Sequence, residues 1–187
     1  MKTKEEVLDF LQQNNCNQEL INDVKDSDGH DWIALSYEKF GVQATELALQ
    51  HEKAKDGMYA SFIALSYEKF GVQATELALQ HEKAKDGWDV YKIAWSYKYC
   101  GVEFTELALQ QDKAKSGLGV SDIAKSYVEH GVEFTELALK QDKAKDGEDV
   151  YNIAKSYDAL RRRKIKKLVF WSLVLCFFVY NFMFFCI

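Results

Sequence analysis

The sequence predicts an all-α protein: a right-handed α-solenoid of 30-residue helical hairpins, followed by one C-terminal transmembrane helix. Three observations predict it. The block Ile33-Ala34-Leu35-Ser36-Tyr37 returns in related form at residues 63–67, 93–97, 123–127 and 153–157. A fixed period of this size marks stacked units that bury their apolar faces only against neighbours. Proline is absent from all 187 residues, which suits a chain made almost wholly of helix, where an internal proline costs about 3 kcal/mol. The last 20 residues, 168–187, carry no charged side chain. The duplication is close, since residues 33–57 and 63–87 are identical over 25 positions.

Residues 1–27 read as a degenerate capping unit. Val7, Leu8, Phe10 and Leu11 form one apolar stripe and Leu20, Ile21 and Val24 another. Asn14-Asn15 stands where later units have glycine, and Asn tolerates a left-handed turn next best. Residues 28–160 are tandem hairpins, of which 88–117 is representative. Its first helix runs from Trp88 to Cys100, with Val90, Ile93, Ala94 and Tyr97 on the i, i+3, i+4, i+7 spacing of one buried face. Gly101 ends that helix in a left-handed conformation open to glycine, as Gly41, Gly71 and Gly131 do elsewhere. The second helix is expected to begin near Thr105, a capping side chain, with Phe104 and Leu109 as a hydrophobic staple. Lys113 and Lys115 then favour the end of the helix dipole, and Gly117 closes the unit. Helices of about 12 residues are marginal alone in water, so stacking supplies their stability.

Two-helix units of this kind resemble the broad tetratricopeptide and Sel1-like class of α-solenoids over residues 28–160, in architecture alone. The tetratricopeptide Trp-x-x-Leu-Gly pattern and its late proline are absent, and the 30-residue period is shorter than the usual unit of either family. The resemblance therefore implies stacked hairpins and carries over no ligand or residue role.

The last unit departs from the others. The residue four after the repeated tyrosine is glycine in each full unit, but after Tyr157 it is Arg161. Residues 148–160 thus make a first helix without a second. The juxtamembrane segment 161–167 follows, with Arg161, Arg162, Arg163, Lys164, Lys166 and Lys167 as membrane-interface residues. Residues 168–187, at about 1.5 Å per residue, reach about 30 Å, the depth of a bilayer hydrocarbon core. Basic residues beside a span favour the cytoplasmic side. The expectation is a single-pass protein with a C-terminal tail anchor and its repeats facing the cytoplasm. With no Gly or Pro after residue 147, the last repeat helix is expected to run unbroken into the membrane.

Charge narrows the function. Residues 1–160 carry 18 basic and 29 acidic side chains, a net of −11, which repels nucleic acid. The basic segment instead attracts anionic lipid, at about 1 kcal/mol per basic residue near the surface. Four scattered cysteines without a CxxC pair read as reduced thiols. No GxxxxGK[ST], HExxH or GxSxG motif occurs. His51 and His81 are copies of one position that becomes Gln111 and Gln141, which is not how a catalytic base behaves. The histidines therefore read as partly exposed helix residues. Neither catalysis nor a cofactor or metal is expected.

Repeated Ser-Tyr and Thr-Glu pairs read as a core ladder and as helix caps, respectively. What differs between units is more telling. Trp88 stands against Met58, Leu118 and Glu148, and Trp95 against Leu35, Leu65, Lys125 and Lys155. Trp88 and Trp95, two turns apart on one face, are the candidate partner-binding residues. The function expected is a membrane-tethered scaffold that binds a protein partner. The alternative gives the work to the tail, through self-association or bilayer perturbation, with the repeats as spacer. Near-identical units suit a fast-changing protein such as a pathogen effector in a host membrane.

Overall fold

A computed structural model describes the backbone of residues 2–185 and the side chains of residues 2–173. Among the described residues the protein is all-helical, with ten helices and no strand. They are α1 (Lys4–Gln13), α2 (Gln18–Asp26), α3 (Gly29–Leu49), α4 (Gly57–Phe70), α5 (Val72–Gln80), α6 (Gly87–Tyr99), α7 (Val102–Leu109), α8 (Gly117–His130), α9 (Val132–Leu139) and α10 (Gly147–Phe185). Helix α3 is two helices joined at Gly41, where φ is 82°. Long and short helices thus alternate, and α4, α6, α8 and α10 each start 30 residues after the last.

Packing follows the chain. α4 lies on α3 and α6, α6 on α4 and α8, and α10 on α8 and α9. The short helices α5, α7 and α9 each touch their own first helix and the first helix of the next pair, and α2 also reaches α4. The core is a continuous row of small and branched side chains, among them Ile33, Ile63, Ile93 and Ile123, each fully buried at equivalent positions. Thirty-residue spacing delivers one such isoleucine per pair, and the alanine beside it (Ala34, Ala64, Ala94, Ala124) lets the helices approach.

Two kinds of glycine hold this geometry. At Gly101 φ is 87° and ψ 165°, a region that essentially only glycine occupies. The chain reverses there in one residue, and α7 begins at Val102. Gly87 serves close approach instead. A Cβ there would lie 2.1 Å from the Tyr59 carbonyl oxygen, so α4 and α6 touch backbone to backbone. Gly117, expected to close a unit, likewise opens the next helix, and Asp86 or Ser116 just before such a glycine is the true N-cap.

Several local expectations are corrected. The second helix starts at Val102, three residues before Thr105. Thr105 is no cap: its Oγ1 donates to the Gly101 carbonyl at 2.8 Å, and Thr75 and Thr135 do the same four residues back. Phe104 forms no staple across a helix start, but stacks on Tyr127 of the next pair at 5.9 Å. Lys113 lies beyond the end of α7, and its Nζ donates to the Gln141 carbonyl at 2.6 Å, as Lys83 does to Gln111. It therefore rivets neighbouring pairs and does not sit on a helix dipole. The second helices are eight or nine residues long, because they end at Gln80, Leu109 and Leu139, well before the next glycine. Asn15 has φ 50°, filling the glycine's role between α1 and α2.

α10 is a single helix of 39 residues. Most of the expected span at 168–187 lies outside the residues whose side chains are described. Among the described residues no helix is long and apolar enough to cross a membrane.

Candidate interaction surface

Four aromatic side chains of α6, Trp88, Tyr91, Trp95 and Tyr99, follow i, i+3, i+7 and i+11 spacing and so line one face of the helix. Phe62 and Phe70 lie two turns apart on α4, the neighbouring helix. Together the six rings form an unbroken chain. Phe62 meets Trp88 edge-on at 4.9 Å, and Trp88 stacks on Tyr91 at 5.6 Å. Tyr91 meets Phe70 at 5.1 Å, Phe70 meets Tyr99 at 6.0 Å, and Tyr99 meets Trp95 at 5.3 Å. These are the separations at which aromatic pairs attract. The Lys92 ammonium sits 4.4 Å from the Trp88 ring centre, a cation–π contact.

The strip is a surface feature. Trp88 is 38% and Tyr99 61% exposed, while Trp95, Tyr91 and Phe62 are half-buried and Phe70 is buried. Trp88 and Trp95 thus belong to one patch, with their rings linked through Tyr91, Phe70 and Tyr99. The sequence reading missed the other four members. The i, i+3, i+7, i+11 pattern on α6 was available as a signal, but the contribution of α4 depends on which helices are neighbours. Further along the chain this face turns polar: Lys125 pairs with Glu129 at 3.7 Å, and Tyr151 Oη donates to Glu129 at 2.6 Å. That bond to a carboxylate, with burial second, pushes the Tyr151 phenol up to about 12.

The Ser-Tyr and Thr-Glu pairs form a buried ladder, not a surface. Tyr67, Tyr97 and Tyr127 donate to Glu76, Glu106 and Glu136 at 2.5, 2.5 and 2.6 Å. Burial first, then the carboxylate, raises all three phenols well above the usual tyrosine value. Ser96 and Ser126 share hydroxyl hydrogen bonds with Thr105 and Thr135 at 2.8 Å. In the first such pair Lys2 Nζ is inserted, bonding Tyr37 at 3.3 Å and Glu46 at 2.6 Å.

His30 is a half-buried residue of α3, as expected, and the other three histidines divide into two kinds. His51 and His81 lie in turns, where Nδ1 accepts the Lys53 or Lys83 amide at 3.3 and 3.2 Å. They are therefore turn residues and not helix residues, and burial lowers the His51 pKa. His130 is half-buried, with its side chain 8% exposed: it replaces Phe40, Phe70 and Cys100 in the pattern, lies 3.4 Å from Asp158, and faces the Tyr151 ring at 5.1 Å. Arg162 binds the same Asp158 at 2.7 Å, and this pairing holds the carboxyl below its usual range. Arg161 lies 3.8 Å from Glu133. Arg163, Lys164, Lys166 and Lys167 are exposed on α10. Among the described residues no three His, Cys, Asp or Glu side chains gather as a metal site. Comparison with models of protein families, with curated proteins and with solved structures finds no match.

Proposed function

We propose that this chain is a non-enzymatic, membrane-tethered helical-repeat scaffold that holds a protein partner at a cytoplasm-facing membrane. In this reading the helix pairs from residue 28 onward form a solenoid, residues 1–27 cap it, and residues 168–187 cross the bilayer as a C-terminal anchor. The aromatic strip is the observation that carries the proposal. Exposed Trp and Tyr rings supply most of the binding energy at protein interfaces, because they bury large area at low entropic cost. Unit 88–117 matches its neighbours at the buried ladder positions and departs from them at 88 and 99, which are exposed, and at 91 and 95, which are half-buried.

The tether is supported by the uncharged stretch of 20 residues, the six basic residues before it, and the continuity of α10 to Phe185. The basic segment orients the span and draws it to anionic lipid. Affinity capture with the full chain tests the binding role. A partner held by the wild type, and weakened at least about tenfold by Trp88→Ala with Trp95→Ala, is the expected result. Undiminished capture by the double variant contradicts the strip as the binding face. If residues 161–187 fused to an inert protein reproduce the activity, the tail is the working part and the scaffold reading fails.

A further inference from the structure

The last helix pair lacks its second helix, and the face that helix would cover is open. In the complete pairs the first helix bonds to its own second helix through Ser96 to Thr105 and Tyr97 to Glu106, with Ile93 and Cys100 on the same i, i+3, i+4, i+7 stripe. Ile93 and Ser96 are fully buried and Tyr97 is 7% exposed. On α10 the equivalents are Ile153 and Tyr157, half-buried, and Ser156 and Leu160, exposed. Because Arg161 replaces the turning glycine, α10 runs straight on and leaves a groove of about 370 Å³ against α9. Glu133 and Phe134 form one wall, and Tyr157, Leu160, Arg161, Lys164 and Ile165 form the other.

We propose that this groove docks an acidic amphipathic helix from a partner protein, seated where a second helix would lie. The groove's chemistry selects that occupant. Ile153, Tyr157, Leu160 and Lys164 follow a 4-3-4 stripe along α10, the register read by a helix lying in a groove. Each buried ladder tyrosine before Tyr157 donates to a glutamate nine residues on, but at that distance Tyr157 has Lys166. Its hydroxyl therefore lacks the carboxylate that Tyr67, Tyr97 and Tyr127 each have within their own pair. Arg161 is paired with Glu133, the one acid lining the groove, which leaves Lys164 as its uncompensated positive charge. An incoming helix with an apolar stripe and a carboxylate aligned to Tyr157 answers each of these features. The inference rests on the scaffold reading and adds where on the scaffold a partner helix sits.

The test uses the full chain in phosphatidylcholine nanodiscs. It is titrated with a fluorescein-labelled peptide of residues 131–140, this protein's own second-helix sequence, stapled because so short a helix is marginal alone. Saturable binding below about 1 mM is expected. Leu160→Asp should weaken it at least about tenfold, and Glu136→Gln in the peptide at least about fivefold, because a charge-assisted hydrogen bond is lost. Leu160 is exposed, so its substitution should leave the helical circular dichroism unchanged. No saturation, or equal affinity for the Glu136→Gln peptide, overturns the proposal. Binding abolished when phosphatidylserine is added assigns the face to lipid, and a dimer dissociated by Leu160→Asp assigns it to a second copy; either result overturns it. A chain that fails to enter the discs defeats the tether alone, since the same titration then runs in solution.

Discussion

Gly87→Ala tests the close stacking of α4 on α6. The added methyl carbon would lie 2.1 Å from the Tyr59 carbonyl oxygen and 2.7 Å from Tyr59 C and Cα, all of them backbone atoms. That is about 1.3 Å short of ordinary van der Waals contact at 3.4 Å. No rotamer change relieves it, so the two helices must separate. Overpacking of this kind costs about 1–3 kcal/mol. Alanine's better helix propensity opposes that by at most about 1 kcal/mol. The expected net is a destabilisation of about 1–2 kcal/mol, read as a lower urea midpoint by circular dichroism on residues 1–167. A midpoint that is unchanged or raised would falsify the backbone contact, because propensity alone predicts stabilisation.

Tyr97→Phe removes a phenol that donates to the half-buried Glu106; a hydrogen bond to a charged group is worth about 1.5–3 kcal/mol, so the midpoint should fall, and an unchanged midpoint would mean that the ladder is decorative. The ladder also predicts alkaline sensitivity. Tyr67, Tyr97 and Tyr127 have folded pKa values above their unfolded ones, so their stabilisation is complete below an unfolded value of about 10 and is lost as pH rises through the folded values. Absorbance titration near 295 nm should show these phenols ionising only with unfolding; three that titrate near pH 10 in the folded protein contradict it. Spin labels along 158–170 should report accessibility with a period of about 3.6 residues if α10 is continuous there, whereas loss of that period defeats the continuous helix.

Periodicity made the first helices legible because each repeats Ile-Ala and Tyr on one face, and the same signal identified the reversing glycine. The second helices were misplaced because Thr105 resembles an N-cap by composition, while the chain had already reversed at Gly101. The Lys-Asp-Gly segments were read as ends and not beginnings, because close approach of Gly87 to Tyr59 is a tertiary fact that no local pattern announces. The role of Glu106 as the Tyr97 acceptor was likewise hidden, since nine residues and a reversal separate the two. Of the candidate surface, Trp88 and Trp95 stood out by their departure from the repeat. Phe62 and Phe70 did not, because only the packing of α4 against α6 links them to the strip. His130 is a partly exposed helix residue as its pattern suggests, and its ring takes the place held by Phe40 and Phe70 elsewhere.

Protease protection tests most directly whether the helical body is held to lipid by its C-terminal rod. Full-length protein is inserted into sealed microsomes after translation and then washed with alkaline carbonate and treated with proteinase K from outside. The account predicts that the chain stays with the membrane through the wash and that protease removes residues before 161, leaving a protected tail fragment. Release of intact chain into the carbonate supernatant, or complete digestion of the tail without detergent, would contradict it.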